Sequence, residues 1–123
     1  MLRAANAYRN VDLESAPNTQ IVERLFDRFA RDITEAKAAI AARDIKAKAA
    51  TLDHATQIVV QLRAALDRRV APELVAQLDS LYAYVIDRLF EANMKLSTPP
   101  LDHAASVMVK LGDAFRRAHQ ALR

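Results

Sequence analysis

Three histidines and the acidic residues beside them are the side chains best suited to chemistry in this sequence; they are His54, His103 and His119. A di-iron site in a helical bundle needs Glu-x-x-His pairs, in which both ligands share one helix face. The residues three positions before the histidines are Thr51, Pro100 and Arg116. Asp53 and Asp102, the direct neighbours of two histidines, point to other sides of a helix. We therefore expect surface or edge histidines, and neither a metal site nor a catalytic pair.

Cysteine and glycine chemistry is equally limited. The sequence has no cysteine, which excludes disulfides, thiolate nucleophiles and Cys-based zinc sites. Its one glycine cannot build a phosphate-binding loop, and no nucleotide-binding or serine-hydrolase motif occurs. The sequence thus predicts that the protein is not an enzyme and has no cofactor.

The elements that carry these residues follow from the composition. The chain has 123 residues, enough for one domain with a real core, and 52% are apolar but only 6% aromatic. Most of the apolar residues are good helix formers, and no alternating strand pattern with glycine turns is visible. The predicted fold class is all-α.

Charge and hydropathy restrict the partners and the location. The formal charge is +3, but the 18 basic residues are interspersed with 15 acidic ones. This mixture is typical of a solvated surface, so we expect no nucleic-acid binding. No apolar run is long enough for a signal peptide or a membrane span, so we expect a cytoplasmic protein without membrane insertion.

Apolar residues recur at steps of three or four in four segments. The predicted helices begin after the segment Ser15-Ala16-Pro17-Asn18-Thr19 and run to about Ala42, from the N-cap Asp44 to about Arg69, from Pro72 to Leu96, and from the Pro99-Pro100 pair to the C-terminus. Short connections force neighbouring helices to run antiparallel. We therefore predict an antiparallel up-down-up-down four-helix bundle over residues 17–123, preceded by a short N-terminal arm, residues 1–16.

Each predicted helix has one apolar stripe that we expect to face the core, and a glycine interrupts the stripe of the last helix. The stripes that we expect to face the core are Val22, Leu25, Phe29, Ile33, Ala36 and Ile40; Leu52, Ala55, Val59, Leu62 and Leu66; Val75, Leu78, Tyr82, Val85, Leu89, Ala92 and Leu96; and Leu101, Ala104, Met108, Leu111, Phe115, Ala118 and Leu122. Gly112 interrupts the last stripe at a cost of about 1 kcal/mol relative to alanine. It is either a tolerated weakness or a point where another helix approaches closely.

The third helix carries more apolar surface than one core needs. Ile86, Phe90 and Met94 recur at steps of four beside its core stripe, and Leu81 and Tyr84 lie on a further flank. This pattern indicates either the most buried helix of the four or a groove that receives an amphipathic helix, for which aromatic residues and methionine are a favoured lining.

The same helix carries a family resemblance. The run Leu81–Lys95, LYAYVIDRLFEANMK, resembles the signature L-Y-x-Y-x-x-x-R-L-x-x-A-N-x-K of FliS, the flagellin-specific export chaperone. Matches to other parts of the family pattern lie at Tyr8, Ser15-Ala16-Pro17, Leu25-Phe26-Asp27, Ala36, Ala39, Ile40, Asp44, Ala55, Ile58, Leu62 and Leu66. The sequence departs from that pattern at Arg28, Ala83 and Phe115, where the family usually has Gly, Asp and Trp.

The resemblance implies a four-helix chaperone that binds the C-terminal segment of flagellin, prevents its polymerisation in the cytosol and helps deliver it to the flagellar export gate. It implies no cofactor. The resemblance also implies that the N-terminal arm is a movable cover of the apolar groove. The partner-binding residues that we select with its help are Tyr8, Leu13, Phe26, Ile58, Tyr82, Tyr84, Ile86, Phe90, Asn93 and Met94. The first alternative is a generic helix-binding adaptor or structural subunit. The second is a metal or redox enzyme, which the absence of metal-ligand spacing disfavours.

Overall fold

Four helices make up the part of the chain that the computed structural model describes, residues 16–122. They are α1 (Ala16–Ala41), α2 (Ile45–Ala64), α3 (Pro72–Lys95) and α4 (Pro99–Leu122). Residues 16–122 contain no strand, which confirms the all-α prediction. Of the predicted arm, only Ala16 is described, and it is the first residue of α1. Tyr8 and Leu13 lie outside the described residues.

Contacts between helices establish the antiparallel arrangement. Arg63 Nε on α2 bonds Asp79 Oδ1 on α3 at 2.7 Å, whereas Lys48 Nζ, fifteen residues earlier, bonds the Asn93 carbonyl oxygen at 3.2 Å. Residue numbers therefore increase along α2 in the direction in which they decrease along α3, so the two helices are antiparallel. Close packing links α1 with α2, α2 with α3, α3 with α4, and α4 with α1. These four interfaces close the up-down-up-down bundle.

The helix ends follow local rules, with one departure from the sequence prediction. Asp44 caps α2, because its Oδ1 accepts a hydrogen bond from the Ala47 N–H at 3.1 Å. Pro72 occupies the first turn of α3, as predicted. Leu96 was predicted in the core stripe, but it adopts the left-handed conformation with φ 51° at the end of α3 and is exposed. Its side chain therefore leaves the helical row, and that prediction was wrong.

The second helix ends at Ala64, earlier than the predicted Arg69. Asp67 Oδ1 accepts a hydrogen bond from the Arg69 N–H at 2.9 Å, and both Asp67 oxygens also bind the Arg69 guanidinium, at 3.1 and 3.0 Å. Such local bonds from an aspartate to nearby backbone compete with helix formation. Leu66 is still buried in the core although it lies in this turn, so the apolar spacing of the sequence continues past the end of α2.

One histidine has a structural role that its sequence context did not reveal. The Asp32 side chain on α1 is 1% exposed, and its Oδ2 lies 2.5 Å from Nδ1 of His54 on α2. Arg28 Nε approaches Asp32 Oδ1 at 3.3 Å. A buried carboxylate is tolerated only when it is paired, so Asp32 depends on Arg28 within α1 and on His54 across the α1–α2 interface. His103 is exposed as expected, whereas the His119 side chain is not among those described.

Gly112 marks a close approach of α1 to α4. A Cβ atom built on Gly112 would lie 3.2 Å from Cγ and 3.3 Å from Cδ1 of Phe26. The Phe26 ring also contacts Phe115, with the ring centroids 6.3 Å apart. Of the two interpretations of this glycine, the structure favours close helix packing.

We expect Gly112→Leu to destabilise the bundle by about 1 to 3 kcal/mol, because the new side chain must displace a packed aromatic ring. Leucine is a better helix former than glycine by roughly 0.8 kcal/mol, so helix propensity alone predicts a more stable protein. Urea unfolding measures the difference, with Ser106→Leu at an exposed site of α4 as the control. A Gly112→Leu protein as stable as the wild type would contradict the packing role.

Candidate partner-binding groove

A shallow groove of about 180 Å³ separates α2 from α3 on the outside of the bundle. Core residues form its floor, and side chains from both helices form its edges. The floor residues are Leu52 and Leu89, and the edge residues are Ala49, Asp53 and Thr56 on α2 with Ile86, Phe90 and Asn93 on α3. The groove thus combines an apolar floor with a few polar groups, as sites for amphipathic helices do.

An exposed apolar row of α3 begins on the edge of this groove and continues beyond it. Ile86, Phe90 and Met94 recur every four residues, which aligns them along one side of the helix. Phe90 is 64% exposed and Met94 68% exposed, while Ile86 is partly buried against the core. Burying such a side chain is worth about 1.5 to 3 kcal/mol. The surplus apolar surface of the third helix is therefore at the surface, where a partner can cover it.

The α2 edge was not predicted from the sequence. Ala49, Asp53, Thr56 and Val60 follow one another at steps of four, three and four, so they share a helix face. Val60, which continues this row beyond the residues that line the groove, is 44% exposed, and the alanine and threonine side chains are short. Their shortness leaves room above the floor. This second periodic row beside the core stripe of α2 was the sequence signal that could have identified them.

The opposite flank of α3 lines a different cavity. Leu81 borders a cavity of about 260 Å³ between α3 and α4 whose other lining residues are Leu74, Gln77, Leu78, Leu111, Ala114 and Phe115. Leu81 is 38% exposed and lies at the cavity's outer edge. A partner that crosses α3 could therefore insert apolar side chains on both of its flanks.

Tyr84 belongs to a charged ladder on that flank. The Arg88 guanidinium lies 5.5 Å from the centroid of the Tyr84 ring, a cation–π distance. Arg88 also pairs with Glu91, and Lys95 Nζ bonds Glu91 Oε1 at 3.0 Å. The hydrogen bond from Lys95 and the nearby positive charges hold the pKa of Glu91 below its usual value. The ladder fixes Tyr84 on the α4 side of α3, away from Phe90.

A third cavity, of about 350 Å³, lies between α1 and α4. Phe26, Phe29 and Met108 contribute its apolar lining. Ion pairs cross it at both ends: the ion pair between Lys37 and Asp102, at 2.7 Å, and the one between Arg116 and Asp27. These pairs hold the helices together over the cavity, so an incoming segment would have to break them.

Arginines cluster where α2 ends and α3 begins. Arg63 Nε and Nη2 bind the two Asp79 oxygens at 2.7 and 3.1 Å, and Arg68 Nη2 lies 3.2 Å from Asp79 Oδ1. The hydrogen bond from Arg63 is the main reason why the pKa of Asp79 lies below its usual value. The carboxylate therefore stays charged and holds both cations where α2 ends, outside the residues that line the α2–α3 groove.

The structure separates the predicted partner-binding residues into three groups. Ile86, Phe90 and Asn93 line the α2–α3 groove, Met94 lies about one helical turn beyond Phe90 in the exposed row, and Tyr84 lies on the other flank of α3. The members of the third group are buried in the core: Phe26, Ile58 and Tyr82. A partner reaches Ile58 and Tyr82 only if the bundle opens, whereas Phe26 also lines the α1–α4 cavity. Partner binding by all of these residues stays a prediction.

Among residues 16–122, no cluster of three or more His, Cys, Asp or Glu side chains is suited to hold a metal ion. None of the four helices is long and apolar enough to cross a bilayer.

Comparison with known proteins gives a consistent result over nearly the whole chain. The family model described as flagellar protein FliS matches residues 1–122. The flagellar secretion chaperone FliS of Salmonella typhimurium strain LT2 is 28% identical over 116 residues, which cover 90% of this chain and 86% of that protein. The flagellar secretion chaperone FliSB of Pseudomonas aeruginosa is 29% identical over 114 residues, with 89% and 90% covered. FliS of Bacillus subtilis strain 168 is 28% identical over 117 residues, with 95% and 86% covered. This chain therefore belongs to the FliS family of flagellar proteins.

Proposed function

We propose that this protein is a cytoplasmic flagellar export chaperone that binds the C-terminal helical segment of flagellin in the α2–α3 groove. It keeps flagellin from polymerising before export and helps deliver it to the export gate. Family membership supports the export role, since the relatives are named flagellar secretion chaperones. The observation that carries the site is the exposed Phe90–Met94 row beside an apolar floor.

The energetics of this binding favour an extended apolar contact. A client segment that is disordered when free and helical when bound loses about 2 to 5 kcal/mol of the gross interaction energy to its own ordering. Covering Phe90 and Met94 offsets this cost at about 1.5 to 3 kcal/mol each. The cavity beside Leu81 offers further apolar area on the other flank of the same helix.

The protein acts in this proposal by binding alone, without a cofactor or a covalent step. The alternative is a generic adaptor that binds some other amphipathic helix in the same groove. The two differ in what they do to flagellin: a chaperone masks the segment that flagellin needs for polymerisation, whereas an adaptor leaves flagellin free.

A polymerisation assay tests the proposed function. Monomeric flagellin from the same organism, seeded with filament fragments, is followed by light scattering with and without an equimolar amount of this protein. We expect nearly complete suppression and a one-to-one complex in sedimentation analysis. The Phe90→Asp protein is the matched control and should suppress far less. Unchanged polymerisation beside the wild-type protein would refute the chaperone role and favour the adaptor.

The N-terminal arm is proposed as a cover for the apolar groove. Its Tyr8, Val11 and Leu13 provide at most about 1.5 to 3 kcal/mol each on burial, against about 1 to 2 kcal/mol for every backbone residue that becomes fixed. The net is near zero, which makes docking reversible. Deleting residues 1–12 should therefore leave the melting temperature nearly unchanged.

The same deletion should alter the flagellin affinity measurably. The affinity rises if the arm competes with the client and falls if the arm clamps it. Titration calorimetry gives the affinity and stopped-flow fluorescence gives the dissociation rate. If both are unaltered, the arm has no part in binding.

A further inference from the structure

Two carboxylates without an ion pair flank the exposed Phe90 ring. Asp53 is exposed and lines the α2 edge of the groove. Asp87 is exposed on α3, directly after Ile86, and lies just outside the residues that line the groove. It comes three residues before Phe90, and residues three apart are neighbours on a helix surface. Among the described residues, no cation lies within ion-pair distance of either carboxylate.

The register of the two helices puts these carboxylates at the same level of the groove. Lys48 Nζ bonds the Asn93 carbonyl oxygen at 3.2 Å, which places the start of α2 beside the end of α3. Because the helices are antiparallel, the five-residue step from Lys48 to Asp53 corresponds to five residues back along α3, next to Asp87. At 1.5 Å per residue, the two aspartates are offset by no more than about 3 Å along the helix axes. One carboxylate therefore lies on each side of the apolar contact surface.

The nearby cations leave this pair unneutralised. Lys48 is 7% exposed, and its ammonium bonds a backbone carbonyl of α3 on the core side of α2. Arg88 lies on the α4 flank of α3, where it pairs with Glu91. Lys46, near the start of α2, is two turns from Asp53, about 10 Å along the helix. The outer side of the groove is therefore negatively charged at the level of the Phe90 ring.

We propose that the groove selects a basic amphipathic helix of the client, in which lysine or arginine residues flank the apolar stripe and pair with Asp53 and Asp87. Phe90 and the floor residues Leu52 and Leu89 contact the stripe. Lysine and arginine suit the two edges, because their long stems add apolar contact while the charged groups stay in water. Such complementary charges determine specificity and association rate more than affinity. The inference rests on the proposed function, because it names the chemistry of the flagellin segment that occupies this groove.

Titration calorimetry at low and high salt tests this pairing. The probe is the isolated C-terminal segment of flagellin from the same organism, titrated into the full chain. Asp53→Asn and Asp87→Asn each remove one carboxylate with little change of shape. One exposed ion pair changes an equilibrium constant by up to about fivefold, so we expect each variant to bind about two- to fivefold more weakly at low salt. The losses should shrink at high salt, because screening weakens both pairs.

A matched control separates local pairing from net charge. Glu35→Gln removes the same charge from an exposed site of α1 that lines none of the three cavities, and it should leave the affinity unchanged. Reversing both charges, with Asp53→Lys and Asp87→Lys in one protein, should weaken binding roughly tenfold or more at low salt. Circular dichroism with heating checks that each variant keeps the melting temperature of the wild type.

The outcomes distinguish this inference from the proposed function. If the wild-type protein binds the segment and both asparagine variants bind it equally well, the carboxylates do not recognise the client and the inference is wrong, while the proposed function stands. An equal loss in Glu35→Gln would reveal an effect of net charge and would also overturn the inference. If the segment does not bind the wild-type protein at all, the proposed function is refuted, and the inference with it.

Discussion

Phe90→Asp is expected to weaken flagellin binding by well over tenfold while leaving the melting temperature of the bundle nearly unchanged. Phe90 is 64% exposed in the free protein, so the bundle loses little packing when the ring is removed. In the complex the same ring would be covered, and a carboxylate there would be desolvated without a partner. The loss of about 1.5 to 3 kcal/mol of burial plus this penalty accounts for the size of the effect.

Titration calorimetry gives the affinity, and circular dichroism with heating gives the stability. Val109→Asp is a matched control, since Val109 is 55% exposed but lies at the α1–α4 cavity. It should change neither quantity substantially. If Phe90→Asp unfolds the bundle, Phe90 is a core residue in solution. If both variants weaken binding equally, the effect is one of general charge and not of this groove.

The sequence was sufficient to predict the fold because helical periodicity and short connections leave few alternatives. Steps of three or four placed Phe29, Tyr82 and Leu101 in the core, and the structure buries all three. The helix ends were less predictable, since single side chains determine them. Asp67 ends α2 early by binding the Arg69 backbone, and the left-handed Leu96 turns away from the core. Neither effect alters the apolar pattern from which the helices were predicted.

The candidate site was only half predictable, for a related reason. Its α3 edge was visible because Ile86 and Phe90 belong to a surplus apolar row that continues to Met94, beside the core stripe of α3. The α2 edge was missed because the short side chains of Ala49 and Thr56 add no apolar row to the sequence pattern, and only the packing of α3 against α2 makes them part of a groove.

Family resemblance could not separate surface from core. A signature of residue types and spacing combines both: in Leu81–Lys95, Tyr82 is buried, whereas Tyr84 is 42% exposed. Pairing across helices is likewise absent from such a pattern. The contact of His54 with buried Asp32 depends on the register of α1 against α2, which the sequence of neither helix reveals alone.

The second large effect concerns the client. If the α2–α3 groove and the flank beside Leu81 are the binding surface, the client must supply helical segments long enough to cover them. About 40 residues folded as helices would span roughly 60 Å, enough to cross both faces of α3. Removing about that length from the C-terminus of flagellin removes every group that the proposal places on this protein.

Titration calorimetry of this protein against full-length monomeric flagellin from the same organism, and against flagellin lacking its last ~40 residues, tests whether this protein binds the C-terminal segment of flagellin. We predict a one-to-one complex with the full-length protein and a negative heat-capacity change from the burial of apolar surface. With the truncated protein we predict no detectable heat of binding. Equal affinity for the two flagellins would show that this protein does not bind flagellin through its C-terminal segment.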